Sequence, residues 1–211
     1  MKWFHNPFRL IRVVGTFFRT GAVDQILKIT KVSRLLKFVI LFTCKPLLVF
    51  GIKGPYKKSP IVRALIALGP AYIKFGQLLS TRPDIVGDNL ANELKVLQDS
   101  LDPFPTAEAK KIVSEELGSP IESIFSSFSD SVAAASIAQV HKATIKETNE
   151  VVAVKILRPK VEKVFLKDLA ALLYLAKFIE LIIPSFRRLK PTEVINHFER
   201  LVREELDLRM E

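Results

Sequence analysis

The sequence predicts an α+β protein in which a small antiparallel sheet and several helices follow a mainly helical N-terminal extension. Two runs, 137–145 and 150–157, flank a short polar loop at 146–149, and the second run is nearly all β-branched, which is typical of a β-hairpin. Apolar residues recur at helical spacing in 59–79, 106–117, 161–183 and 191–206, which predicts helices there. At 211 residues the chain can form one good-sized core, or one core with an appendage.

The net charge of +10 is concentrated at the N-terminus. Residues 1–60 hold 12 Lys or Arg against one acidic residue, Asp24, whereas the remainder holds 20 basic and 21 acidic residues. A basic, apolar arm on a neutral body indicates attachment to an anionic membrane surface and argues against a nucleic-acid-binding domain. The lone Cys44 excludes an internal disulfide scaffold and favours a reducing compartment. Residues 1–10 lack the apolar core of a cleavable signal peptide.

We place a domain of membrane-associating character at residues 1–58. Within it, residues 3–18 predict an amphipathic helix, for which two interpretations stand: interfacial binding to anionic lipid, or packing on the rest of the protein. The helix combines Arg9, Arg12 and Arg19 with the apolar residues Phe4, Phe8, Ile11, Val14 and Phe18. Residues 35–52 are apolar but are interrupted by Lys37, Lys45 and Pro46, which favours a membrane-lying or core-packed segment over a transmembrane helix.

A second domain, residues 59–130, is predicted to be a helical extension. Ser59 followed by Pro60 favours a helix start, and Gly69-Pro70 predicts a kink. Lys74 and Gln77 are three residues apart and share one helical face, while Gly76 costs about 1 kcal/mol relative to Ala inside a helix. By themselves these three residues favour an ordinary solvated helix face, whereas together with the run 80–84 that follows they favour a functional motif.

The extension ends in shorter elements. Residues 88–98 predict a short helix, 101–105 a rigid turn, and 106–117 a capped helix ending at Gly118. An apolar segment, 121–128, then leads into the hairpin.

The third domain, residues 131–211, contains the hairpin. Its second strand carries Val152-Ala153-Val154-Lys155, the pattern of the strand-three lysine in protein-kinase folds, which holds nucleotide phosphates. A buried lysine in such a strand needs a partner because an unpaired ammonium is costly to desolvate. The loop that would cover the phosphates is not Gly-rich. It consists of Ala133, Ala134, Ala135 and Ser136, a stiffer cradle in which positive φ is expensive.

The last predicted helix begins near Pro191 and ends in acidic residues. Carboxylates at a helix C-terminus oppose the macrodipole, and Asp207 and Glu211 repel each other at a spacing of four. Both features favour cations arriving from elsewhere in the fold, and Lys74 and Lys155 are the candidates. His141 and His197 have no neighbours at metal-ligand spacing in the sequence, so we predict no metal site.

These motifs together resemble the UbiB family of atypical kinase-like proteins of ubiquinone biosynthesis. The resemblance covers residues 60–211 and rests on Lys74-Phe75-Gly76-Gln77, on 133–141 followed by the Val-Ala-Val-Lys run, and on the acidic end of the last helix. It implies a kinase-like N-lobe with ATP or ADP and Mg²⁺ as cofactors, and it makes Ala133, Ala134, Ala135, Ser136 and Lys155 nucleotide-binding. It makes Lys155 and Glu211 a catalytic pair and sets Glu205 and Asp207 opposite the Lys74 motif.

The resemblance also implies what is missing. Family members continue into a second lobe, or C-lobe, with a catalytic Asp, an Asn and a metal-binding Asp, and those motifs do not occur here. We therefore expect the N-terminal portion of an ATP-dependent kinase-like transferase or ATPase, inactive alone, peripheral to a bacterial inner membrane on its cytoplasmic face, or to the mitochondrial inner membrane in a eukaryote. Expected partners are anionic lipid, a quinone-biosynthesis intermediate or enzyme, and a separately encoded C-lobe. The alternative is a non-catalytic lipid-binding or scaffolding fragment.

Overall fold

A computed structural model describes residues 7–29, 32–98 and 102–208 of the chain. These residues belong to two compact units, 1–98 with 162–211 (unit 1) and 99–161 (unit 2). Of the predicted features, Phe4 of the N-terminal helix and Glu211 at the end of the chain lie outside the described residues. The domain boundaries at residues 58 and 130 stay predictions.

Unit 1 is helical throughout its described length. Its helices in chain order are α1 (Pro7–Thr20), α2 (Ala22–Ile29), α3 (Arg34–Cys44), α4 (Pro60–Leu68), α5 (Pro70–Ser80), α6 (Pro83–Val86), α7 (Asp88–Leu94), and, after unit 2, α10 (Val161–Ile182) and α11 (Pro191–Leu206). Three 3-10 helices join them at Lys45–Phe50, Lys95–Leu97 and Pro184–Leu189. None of the described helices is both long and apolar enough to cross a membrane.

The first helix packs on the rest of unit 1. Val13, Gly15, Thr16 and Thr20 of α1 are buried, and α1 contacts α2, α4 and the 3-10 helix that follows α3. For the described part of the N-terminal helix, the packing interpretation is therefore the one the structure supports. Phe8, at the start of the helix, remains exposed.

The core of unit 1 is built by α4 and α5, and each of them begins with a proline. Pro60 and Pro70 occupy first-turn positions, where the missing N–H costs nothing. Gly69 between the two helices has φ +103°, a conformation that side-chain-bearing residues rarely adopt, so the predicted kink is a complete break. Ser59 occupies the N-cap position of α4, but its hydroxyl makes no capping hydrogen bond.

The long helix α10 is joined to α11 by a capping contact that the sequence did not indicate. The Glu180 carboxylate near the end of α10 accepts hydrogen bonds from the Thr192 amide at 2.9 Å and from its hydroxyl at 2.8 Å, at the start of α11. These bonds lower the pKa of Glu180, because they favour its ionised form. Ile195, Phe198 and Val202 bury the inner face of α11, as the periodicity predicts.

Unit 2 contains a three-stranded antiparallel sheet in the order β1-β2-β3, with β1 at Phe125–Ala134, β2 at Ala138–Ile145 and β3 at Val151–Leu157. The predicted hairpin is confirmed as β2 and β3. The first strand was not predicted, because the Ser-rich segment 126–131 lacks apolar alternation. Helices α8 (Thr106–Leu117) and α9 (Ile121–Ile124) precede the sheet. The core joins Ala109, Val113 and Ile121 to Ile156 of β3.

One buried ion pair connects the first helix of unit 1 to α10. Arg9 Nε donates to Asp168 Oδ1 at 2.6 Å, and the Asp168 side chain is only 3% exposed. The second oxygen, Asp168 Oδ2, and the hydroxyl of Tyr72 from α5 are both buried, and the two side chains lie beside each other. Burial raises the pKa of Asp168 despite the opposing effect of Arg9, and burial next to that carboxylate also raises the pKa of Tyr72.

We expect Arg9→Ala to destabilise the protein by about 3 kcal/mol, because it leaves the Asp168 charge buried without a cation. The double variant Arg9→Ala/Asp168→Asn also removes that charge. It should therefore be less destabilised than Arg9→Ala. The control is Arg203→Ala, which removes a surface pair with Glu199 and should cost at most about 1 kcal/mol. Urea denaturation measures all three variants, and an equal loss for Arg9→Ala and Arg203→Ala would contradict a buried pair.

The raised pKa of Asp168 also predicts a pH dependence. The native state holds this proton at pH values where the unfolded carboxyl, with a pKa near 3.8, has released it, so the contribution of Asp168 to stability falls as pH rises above that value. The free energy of unfolding of wild type minus that of Asp168→Asn should therefore fall from pH 4 upwards and then level off. Denaturation curves at successive pH values measure this difference. A difference that grows with pH would mean that Arg9 outweighs burial.

Candidate functional site

The register of the sheet in unit 2 decides where Lys155 lies. Lys155 pairs with Val140, which in turn pairs with Ala133, so these three residues share one face of the sheet. Val154 and Ile156 lie on the opposite face, against the core of unit 2. The β-branched run predicts a buried lysine. In the structure, Lys155 is only half-buried, on the face turned away from that core.

The Ala-rich segment forms a tight turn between β1 and β2. Ala133 and Ala134 are the last two residues of β1, and the Ala135 amide donates to the Ala138 carbonyl at 2.8 Å, which closes the turn. No residue in 133–136 has positive φ. Alanine is therefore accommodated without strain, and the backbone keeps less freedom than a Gly-rich loop would have. Ser136 is 3% exposed, so its hydroxyl is not presented at the surface.

Arg158 bonds to this turn, although no sequence motif singles out this residue. Its Nε donates to the Ala135 carbonyl at 3.2 Å, a second guanidinium nitrogen donates to the Asp102 carbonyl at 2.8 Å, and its amide donates to the Ile137 carbonyl at 2.8 Å. Burial lowers the pKa of Arg158 from its ordinary value, with Asp102 opposing the effect. Because Arg158 follows β3 directly, the strand that carries Lys155 and the Ala-rich turn are fixed to each other.

The opposite face of the sheet carries a buried polar network. Gln139 Oε1 accepts from the Phe104 amide at 2.8 Å, so its Nε2 donates, to the Phe104 carbonyl at 3.1 Å and to His141 Nε2 at 2.8 Å. His141 Nε2 must then be unprotonated, and Nδ1–H donates to the Ser129 carbonyl at 2.9 Å. These bonds give His141 a structural role, which joins β1 to β2 and residue 104 to the sheet.

The Lys74 motif lies on α5 in unit 1, where it faces the acidic end of α11. Lys74 Nζ lies 2.6 Å from Glu205 Oε2, so the predicted contact is confirmed. The ring of Phe75, the next residue on α5, packs against the ring of Phe198 on α11 with the centroids 5.2 Å apart. The Lys74 and Glu205 side chains are 24% and 43% exposed, so the pair contributes at most about 1 kcal/mol and defines position more than stability.

Gly76 and Gln77 hold the 3-10 helix Lys95–Leu97 in place. A Cβ at Gly76 would overlap Leu97 Cδ1 and would lie 2.8 Å from Leu65 Cδ1, so any other residue here would displace one or both leucine side chains. Gln77 Nε2 donates to the Leu97 carbonyl at 2.7 Å. The atoms that Gly76 leaves room for therefore belong to the chain itself.

The other acidic candidates and the histidines are placed as follows. Asp207 directly follows α11 and is half-buried, while Glu211 lies outside the described residues, so its pairing with Lys155 stays a prediction. His197 is exposed on α11. Within 7–29, 32–98 and 102–208, no group of three or more His, Cys, Asp or Glu side chains is arranged to hold a metal ion.

The antiparallel sheet with a lysine on its third strand, together with its helical extension, defines a kinase-like N-lobe. Residues 96–211 match the family model of the ABC1 atypical kinase-like domain. The chain belongs to this family of atypical kinase-like proteins, in which the UbiB proteins are found, as its motifs predict.

Curated relatives agree with this assignment. The chain is 39% identical over 204 residues to a probable protein kinase UbiB of Marinobacter nauticus, which covers 96% of this chain and 37% of the relative. It is 48% identical over 149 residues to the protein of the same name in Pseudomonas paraeruginosa, which covers 70% of this chain and 28% of the relative. It is 42% identical over 167 residues to the protein of the same name in Shewanella frigidimarina, and this match covers 77% of this chain and 30% of the relative. The chain thus spans about a third of the length of these relatives.

We expect Gly76→Ala to destabilise the protein by about 1–3 kcal/mol, although alanine is the better helix former, because the new methyl group meets Leu97. Leu97→Ala alone should also destabilise the protein by opening a cavity. In Gly76→Ala/Leu97→Ala the new methyl group partly fills that cavity, so the combined loss should be smaller than the sum of the single losses. Thermal and urea unfolding measure these differences, and additive losses would show that the two residues do not compete for space.

Proposed function

We propose that this chain is the nucleotide-binding portion of a UbiB-like ATP-dependent kinase or ATPase that serves ubiquinone biosynthesis. The observation that carries the proposal is the row Ala133, Val140, Lys155 on the sheet face turned away from the core, with the Ala-rich turn at its end. A lysine in this position supplies positive charge to nucleotide phosphates in kinase folds.

The residues of unit 2 suit that role in three respects. Lys155 is half-buried, on the face of β3 that is turned away from the core of unit 2. The turn at 133–136 has a backbone geometry that alanine tolerates, and Arg158 bonds it to the end of β3. ATP or ADP would bind with Mg²⁺, which neutralises phosphate charge when bound. We assign the metal ligands to a second lobe, in keeping with the longer relatives.

The phosphoryl acceptor that we propose comes from the resemblance to the UbiB family. The resemblance favours a lipid-linked small molecule as acceptor, or bare ATP hydrolysis, over a peptide. We further propose peripheral attachment to anionic membrane, on the cytoplasmic face of a bacterial inner membrane, where a quinone intermediate or the enzymes that process it are the partners.

A second candidate function is a non-catalytic scaffold that organises partner enzymes at a membrane. It is favoured by the large apolar side chains that α3 and the following 3-10 helix expose. The two candidates differ in one requirement, because a scaffold has no need for Lys155. Nucleotide binding therefore separates them.

Lys155→Ala should weaken the binding of a fluorescent ATP analogue in Mg²⁺ at least tenfold, because the phosphates lose their cation on the sheet. The matched control is Lys142→Ala, which removes an exposed lysine that lies on the same face of the same sheet, opposite Ala153. Titration is done on the chain alone and with a kinase-like second lobe added in trans. Equal affinity of both variants, or no binding by wild type in either format, would overturn the nucleotide proposal.

A further inference from the structure

Helix α3 turns an apolar face toward solvent. Leu35, Phe38, Val39 and Phe42 are 75%, 65%, 45% and 74% exposed, and their spacing of three, four and seven residues places them on one side of the helix. Neither α3 nor the 3-10 helix Lys45–Phe50 contains a buried residue. A helix packed on a protein surface normally turns its apolar side inward, so this stripe has the opposite orientation.

The 3-10 helix that follows α3 nevertheless packs closely on α1. A Cβ at Gly15 would overlap the backbone of the 3-10 helix, and one at Gly51 would overlap the Gly15 carbonyl, so the two backbones are in direct contact. The Ile52 amide donates to Thr16 Oγ1 at 3.0 Å, and Arg19 donates to the Gly51 carbonyl at 2.9 Å. The stripe therefore lies on a helix whose C-terminal continuation is packed against α1.

The charges around the stripe have one sign. No Asp or Glu occurs between residues 25 and 83, a stretch that contains eleven Lys or Arg. Arg34 and Lys45, at the two ends of α3, are both exposed, as are Lys53, Lys57 and Lys58 in the segment that follows. An apolar stripe flanked by cations is complementary to an anionic bilayer surface, which offers acyl chains beneath a layer of negative headgroups.

We propose that α3 is the membrane-docking element of this protein and lies in the interface of an anionic phospholipid bilayer, with Leu35, Phe38, Val39 and Phe42 immersed. This inference rests on the proposed membrane attachment. It assigns the attachment to α3 because the other amphipathic helix of the basic arm, α1, is packed in unit 1. The 11 residues of α3 extend about 16 Å, roughly half the hydrocarbon thickness, so the helix lies along the surface. Its charged ends then remain at headgroup level.

The test is flotation of the full 211-residue chain with vesicles of phosphatidylglycerol and phosphatidylcholine, or of phosphatidylcholine alone. The variant Phe38→Ser/Phe42→Ser removes the apolar contact and leaves the charge unchanged. The matched control is Phe178→Ser/Leu181→Ser on α10, where the two side chains are 57% and 71% exposed. We expect wild type and control to float with anionic vesicles and the α3 variant to partition at least tenfold less, with unchanged circular dichroism.

An environment-sensitive dye on Cys44, the lone cysteine and the last residue of α3, gives an independent readout. Its emission should shift to the blue with anionic vesicles and not with neutral ones. Flotation of the α3 variant equal to wild type, or flotation without a dye shift, overturns the assignment to α3 while membrane attachment stands. Failure of wild type to float overturns both. A wild-type dimer that becomes monomeric in the α3 variant would instead identify the stripe as a contact between copies.

Discussion

The helical unit depends on the burial of Asp168. A carboxylate in that position requires a cation, and Arg9 supplies it from a helix 159 residues earlier in the chain. The pair fixes α1 against α10, and the buried Tyr72 of α5 lies beside it. The same helix α1 packs on α4 and on the 3-10 helix Lys45–Phe50, where Gly15 and Gly51 bring the two backbones into direct contact. The pair therefore links α10 to the helix on which the segment of α3 is supported.

The sheet unit depends on a different constraint, the alternation of side chains along β3. Ile156 faces the core, so its neighbour Lys155 must face away from it, and the pairing with Val140 and Ala133 places the Ala-rich turn at the end of the same row. Arg158 and the Gln139–His141 network both help to fix that arrangement. If Lys155 binds nucleotide as proposed, it needs such support, because a small displacement of the ammonium would weaken its contact with phosphate.

The Lys74 motif combines two roles that the sequence could not separate. Gly76 and Gln77 serve packing, since one leaves room for Leu97 and the other bonds to its carbonyl. Lys74 makes a half-exposed ion pair with Glu205, which contributes little to stability and is thus available for a positional or functional role. A family motif on one helix need not have one purpose for all of its residues.

The sequence alone determined the family, the β2–β3 hairpin, the helices α4, α5, α7, α8, α10 and α11, and the contact of Lys74 with the acidic end of α11. Periodicity, turn residues and charge are local or motif-encoded properties. Tertiary structure decided what local signals do not contain. The strand β1 is recruited by pairing with β2 although its Ser-rich sequence predicts no strand. The roles of Arg9, Arg158 and Glu180 depend on partners distant in the chain or on backbone carbonyls. The apolar residues of the basic arm look alike in sequence, and only packing separates α1, which enters the core, from α3, which remains exposed.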